Sequence, residues 1–263
     1  MRKKRRIRVK RWSEGTKIPL LPNILTSASL FGGFYSIICS MNGKFEVAAI
    51  AIILSGILDA IDGRIARLTK KTSHFGLEYD SLSDLVAFGV APSILIFKYS
   101  LQPLGRLGWI VTFIYLICGA LRLARFNVEI RSFKSTEFNG LPIPVSATFL
   151  CSMVLFSKGI GLRLEERPLL VFFLALSMSY LMVSNVKYPS FKEINIKKAR
   201  AFHVFLYIIL FLILIAYKPR IMIFSIVFLY VVSGPFNLII LKRGRASDKK
   251  RKIDTEPQTP TNS

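Results

Sequence analysis

The sequence is short of acid. It has 15 Asp and Glu against 37 Lys and Arg, a net charge of +22. It has three cysteines, Cys39, Cys118 and Cys151, at no metal-ligand spacing, and they read as small core residues. There are two histidines, His74 and His203, neither in a pattern that marks a nucleophile or a base. No internal repeat is visible, and no polar stretch is long enough to build a soluble core. No cleavable secretory signal is expected, because the first apolar run begins only near Ile18 and lacks an evident cleavage site.

What is present is apolar: 52% of the 263 residues are hydrophobic. High apolar content beside high charge points to segregation into apolar spans and basic loops. A span needs about 20 helical residues. Eight candidates emerge, roughly Asn23–Ser40, Val47–Ile65, Leu82–Phe97, Leu107–Leu123, Val145–Phe156, Leu169–Asn185, Phe202–Tyr217 and Ile221–Leu241. The expected fold is all-α, a polytopic membrane helix bundle. With the N-terminus placed in the cytoplasm, 29 of the 37 Lys and Arg fall on the cytoplasmic side and 8 on the other. That bias puts both termini on the cytoplasmic side of the cell membrane. Residues 1–20 read as a basic arm lying on anionic headgroups, 21–241 as the membrane domain, and 242–263 as a disordered basic tail. Nucleic acid is not expected as a partner of the arm.

The scarce acids are not scattered. Asp59, Asp62, Asp80 and Asp84 sit inside or beside very apolar sequence, in the run Asp59-x2-Asp62-Gly63-x2-Ala66-Arg67-x8-Gly76-x3-Asp80-x3-Asp84. A carboxylate at bilayer depth is unfavourable by about 2.5–3.5 kcal/mol on insertion scales. At about 100° per residue, Asp59, Asp62, Gly63, Ala66 and Arg67 share an arc of about 140° on one helix. Gly76, Asp80 and Asp84 stack on one face of the next. Antiparallel packing brings the two faces together at the cytoplasmic interface. Four converging carboxylates repel one another unless cations neutralise them, and an all-oxygen set suits Mg²⁺ or Mn²⁺. Mg²⁺ is commonly held by few carboxylates plus substrate phosphates, so the pattern points to a diphosphate substrate. The small residues leave room for a ligand or for close helix approach. Arg67 adds a guanidinium suited to phosphate. A cation pathway of a transporter would place acids across the membrane depth, whereas these four cluster at one end.

This run resembles the signature of the CDP-alcohol phosphotransferase family, D-x2-D-G-x2-A-R-x8-G-x3-D-x3-D, at every defined position. The resemblance implies a membrane enzyme that displaces CMP from a CDP-linked alcohol, commonly CDP-diacylglycerol, using the hydroxyl of a second alcohol. By position it implies Asp59, Asp62 and Asp80 as metal ligands, with Asp84 a further ligand or the general base. Gly63, Ala66, Arg67 and Gly76 would line the CDP-lipid site. Pro22-Asn23-x2-Thr26 also resembles the family, which adds Asn23 and Thr26 to that site. Three further stretches resemble the family's phosphatidylserine synthases: Gly119 to Asn127, Phe138 to Ala147, and Val186 to Lys192. They imply L-serine as acceptor, its carboxylate met by Arg122, Arg125, Asn127 and Lys187. A glycerol-phosphate or inositol-phosphate acceptor would also want arginines. The resemblance also implies a homodimer.

Overall fold

The first turn of the chain shows how closely its helices are joined. In a computed structural model, which describes residues 20–68, 74–131, 140–186, 188 and 217–236, helix α1 (Leu20–Met41) passes into α2 (Phe45–Leu68) through Asn42-Gly43-Lys44. The Lys44 N–H donates to the Cys39 carbonyl at 2.9 Å and the Gly43 N–H to Ser40 at 3.2 Å. This is a Schellman cap, and it needs a left-handed residue at Gly43, whose φ is 73°. The returning helix then packs closely on α1. Ser29 and Ser55 each donate to the other's carbonyl, at 3.2 and 3.0 Å. A Cβ on Gly32 would meet Ser55 Oγ, and one on Gly33 would lie 2.6 Å from the Ala87 Cα. Small residues at these crossings let three backbones approach, as membrane helix packing requires.

The third helix runs unbroken over Phe75–Leu104. It comprises α3 (His74–Asp84), a π-helical turn over Leu85–Val90, α4 (Ala91–Ile96), a second π-helical turn over Phe97–Leu101 and a 3₁₀ turn. The first π turn has an identifiable cause. Pro92 lacks the N–H that would bond the Phe88 carbonyl, and its ring would clash there. The ladder widens so that the Ala91 N–H reaches the Val86 carbonyl. The freed Phe88 carbonyl accepts instead from the buried Tyr115 hydroxyl at 3.2 Å. Tyr115 therefore supplies what Pro92 withholds. Tyr115→Phe leaves a buried acceptor unpaired and is expected to lower stability by about 1 kcal/mol, read as a lower unfolding temperature in detergent.

Gly105, with φ 54°, separates this helix from α5 (Arg106–Arg131). Helices α6 (Ile143–Gly159) and α7 (Pro168–Val183) follow, each with proline in its first turn, where the missing N–H does no harm. The chain entering α6 is tied to the end of α7: Gly140 N–H donates to Val186 at 2.9 Å and Leu141 N–H to Leu181 at 3.0 Å. The last described helix, α8 (Pro219–Phe236), packs Phe224 and Phe228 on Phe149 of α6. Its start is fastened to α2 by Arg220 and Glu46, 2.7 Å apart.

No strand occurs among the described residues. Among the described residues, four helices are long and apolar enough to cross a membrane: Leu21–Met41, Phe75–Leu104, Arg106–Glu129 and Pro219–Phe236. Helices α6 and α7 are shorter and apolar. The expected second span appears as α2, whose aspartates and arginines keep it from being apolar along its whole length. The third is longer than the hydropathy of Leu82–Phe97 predicts, because its polar first turns face other helices rather than lipid. The expected seventh span, apart from Tyr217, lies outside the described residues, as do the basic arm and the tail. Phe31, Phe34, Trp109, Phe113, Phe173 and Phe236 stand exposed on the outside of the bundle. Such an apolar exterior suits lipid and not water.

Candidate functional site

One end of the bundle gathers the start of α1, the end of α2, the start of α3 and the second half of α5. Asp59 and Asp62 are three apart on α2, so both point to the same neighbour. Asp80 faces them from α3. One carboxylate oxygen from each of Asp59, Asp62 and Asp80 lies within 4.8 Å of the others. Asp84, one turn beyond Asp80, places its carboxyl within hydrogen-bonding reach of Asp59. Asp62 is buried, at 4% exposure; the other three are half-buried. The convergence expected from the spacing is therefore present.

Polar residues of α1 and α3 hold this cluster in place. The Thr26 hydroxyl donates to Asp62 Oδ2 at 2.8 Å. Asp62 also accepts from the Gly63 backbone. Ser83, one residue before Asp84, donates to the Thr26 carbonyl at 3.0 Å. Ser27 Oγ and the Tyr79 hydroxyl lie 2.8 Å apart. Thr26, expected at the CDP-lipid site, thus touches a carboxylate of the cluster. Sequence reasoning did not find Ser83, Ser27 or Tyr79: each bond joins residues more than 50 positions apart.

These residues fit a divalent cation. The donors are all oxygen, three come from two helices, and one is oriented by a hydroxyl, the kind of outer support that metal ligands carry. Among the described residues, no histidine or cysteine joins the group.

The second set of expected residues divides. Arg122 is buried on α5, at 8% exposure, and its Nε has no hydrogen-bond partner among the described residues. It is within electrostatic reach of Asp84 and Tyr230, and its guanidinium sits 5.9 Å from the Phe126 ring centre. Arg125 pairs with Glu129 of its own helix at 2.9 Å. Asn127 Nδ2 donates to Ser81 Oγ at 2.9 Å, joining α5 to α3 beside the aspartates. Asn23 lies on the first turn of α1, and Gly63 and Gly76 flank the cluster on α2 and α3. The side chains of Ala66, Arg67 and His74, and all of Lys187 and His203, lie outside the described residues.

A CDP-diacylglycerol–serine O-phosphatidyltransferase of Helicobacter pylori is 39% identical over 225 residues, covering 84% of this chain and 92% of its own. One of Bacillus subtilis is 35% identical over 173 residues, 66% of this chain and 92% of its own. An archaetidylserine synthase of Methanothermobacter thermautotrophicus is 36% identical over 176 residues, 66% and 71%. The sequence profile of the CDP-alcohol phosphatidyltransferases matches residues 19–183, which contain the whole aspartate signature and Arg122. The chain belongs to the CDP-alcohol phosphatidyltransferase family.

Proposed function

We propose that this protein transfers the phosphatidyl group of CDP-diacylglycerol to the hydroxyl of L-serine, giving phosphatidylserine and CMP. The observation that carries this is the meeting of the four signature aspartates with a buried arginine that has an unpartnered Nε. A guanidinium buried without a full set of acceptors is unfavourable unless an anion completes it. The serine carboxylate is an anion of the right shape. The names of the relatives from Helicobacter pylori and Bacillus subtilis support the same acceptor.

In this reading Asp59, Asp62 and Asp80 hold Mg²⁺ or Mn²⁺. When bound, the metal supplies positive charge for the phosphoryl oxygens and for departing CMP. Asn23, Gly63, Ala66, Arg67 and Gly76 form the walls against the CDP part. Thr26 keeps Asp62 in its ligating orientation. Arg122 holds the serine carboxylate, with Asn127 and Lys187 beside it; Arg125, already paired with Glu129, stands at the rim. Asp84 takes the proton of the serine hydroxyl as its oxygen attacks the phosphorus bonded to diacylglycerol. The bond from that phosphorus to the bridging oxygen breaks, CMP leaves, and Asp84 later returns the proton to solvent. The transfer is direct, without a phosphoryl-enzyme. The aspartate end faces the cytoplasm, the membrane domain of about eight spans runs over 21–241 between the basic arm and tail, and two copies form a homodimer in the cell membrane.

The experiment is CMP release by purified protein with CDP-diacylglycerol and Mg²⁺ or Mn²⁺, with each acceptor in turn. Release that requires L-serine is expected. Release with glycerol 3-phosphate or inositol phosphate but not serine would move the protein to a phosphatidylglycerophosphate or phosphatidylinositol-phosphate type of activity. Folded protein that releases no CMP with any acceptor would overturn the enzyme reading and leave a cation-coupled transporter as the alternative.

A further inference from the structure

The π turn after α3 joins two helical halves that are fastened to different neighbours. On the near side, Asp80 converges with Asp59 and Asp62 of α2, and the Ser83 hydroxyl donates to the Thr26 carbonyl of α1 at 3.0 Å. Asn127 Nδ2 of α5 donates to Ser81 Oγ at 2.9 Å. On the far side, the Ser93 hydroxyl donates to the Thr112 carbonyl of α5 at 3.2 Å. The hydroxyls of Tyr99 and of Ser157 in α6 lie 2.7 Å apart, and Ser100 donates to the Leu164 carbonyl between α6 and α7 at 2.9 Å. The turn itself is closely packed: a Cβ on Gly33 of α1 would lie 2.6 Å from the Ala87 Cα, and one on Gly89 would lie 3.1 Å from Leu116 of α5. A single π turn takes up one residue more than the α-helix around it. Closing it would therefore turn one half against the other by about 100° and shift it by about 1.5 Å. The far half is fastened to α5, to α6 and to the segment before α7, so the rotation falls on α3, the half that carries Asp80 and Asp84.

We propose that Pro92 is a positioning residue for the reaction: by forbidding the α-helical bond to the Phe88 carbonyl it holds the π turn open, and the open turn sets the phase that brings Asp80 and Asp84 onto the aspartates of α2. This rests on the reading that these aspartates form the reacting end. Pro92 is buried in the far half, two turns beyond Asp84, and touches the chemistry only through the helix ladder. Tyr115 has the complementary share. Its hydroxyl pairs the freed carbonyl, which stabilises the open turn without imposing it.

The test is full-length Pro92→Ala, which restores the N–H and lets the ladder close. It is expected to lower kcat about 100-fold, as a misplacement of about 1 Å can. The half-saturating metal concentration should rise about tenfold, because Asp80 turns with Asp84. The unfolding temperature should hold, since alanine is the better residue inside a helix. Tyr115→Phe alone should leave kcat within about threefold, because Pro92 still holds the turn open. A double-mutant cycle reads whether the ladder has closed. Tyr115→Phe lowers the unfolding temperature of the wild type but should not lower that of Pro92→Ala, where the restored N–H takes the Phe88 carbonyl. Removing Val90 from Pro92→Ala takes out the extra residue, restores the phase with a closed ladder, and should return kcat to within about tenfold of the wild type. A closed ladder with unchanged kcat overturns the proposal. So does a Pro92→Ala protein whose unfolding temperature Tyr115→Phe still lowers, since proline then does not hold the turn. If Pro92→Ala does not accumulate as folded protein, the variant that also lacks Val90 decides: folding and turnover regained together support the phase, and folded protein without turnover overturns it. Asp84→Asn keeps the two readings apart. Near-normal turnover there overturns the reading beneath, whereas its loss beside a fully active Pro92→Ala overturns this proposal alone.

Discussion

Asp84→Asn is expected to lower serine-dependent CMP release by about 10²–10⁴-fold, the usual worth of a general base, while the protein remains folded. Asp84 closes α3, immediately before the π turn, and its position is set by the backbone on both sides. Asparagine keeps its size. Removing one of four mutually repelling carboxylates also relieves strain in the metal-free protein, so the unfolding temperature should hold or rise. The same substitution separates the two roles open to Asp84. A general base is lost without weakening the metal, and the half-saturating metal concentration should shift by less than about threefold. A ligand would move it by the 10–100-fold or more that metal-site supports are worth. Near-normal turnover in Asp84→Asn would remove the base assignment. A stable phosphoryl-enzyme with ping-pong kinetics would remove direct transfer.

The aspartate geometry was legible because it rests on local periodicity. Helical spacing alone puts Asp59 with Asp62 and Asp80 with Asp84, and the structure brings the two pairs together. The same local logic gave α1, α6 and α7 as apolar segments close to their observed bounds, while α5 runs on to Arg131, past the expected end at Leu123. What escaped is non-local. Nothing near Pro92 tells that Tyr115 will pair the carbonyl it frees, and so nothing in the sequence predicts a π turn in place of a kink or a break. Thr26 entered as a motif residue for the CDP-lipid site, and its motif does not tell that its hydroxyl also bonds Asp62, 36 positions away. Arg122 and Arg125 are indistinguishable as motif residues, and burial separates them: one is buried with an unpartnered Nε, the other is half-exposed and paired with Glu129. Tyr230 sits in a helix whose sequence reads only as apolar, and the ring it stacks on, Tyr188, lies beyond the end of α7.

Thr26 leads to the second large effect, on metal dependence. Chelation of divalent metal should abolish CMP release, and Mg²⁺ or Mn²⁺ should restore it. Asp80→Asn, which deletes one of three converging oxygens, should not be restored at ordinary metal concentrations. Thr26→Val keeps every carboxylate and the shape of the threonine but removes the 2.8 Å bond that orients Asp62. It is expected to raise the half-saturating metal concentration about 10–100-fold, with turnover recovered at high metal. A readout apart from activity comes from mass action: metal at about 100 times its dissociation constant stabilises the folded protein by about 2.7 kcal/mol. The unfolding temperature of the wild type should therefore rise with added metal. In Thr26→Val the same rise should need proportionately more metal, and in Asp80→Asn it should be small. Full activity in chelator, or a metal-induced rise unchanged by both substitutions, would show that the three aspartates do not hold the cation. The four carboxylates would then be left without a neutralising partner at the end of an apolar bundle, a state that their mutual repulsion disfavours and that a buried Arg122 alone cannot balance.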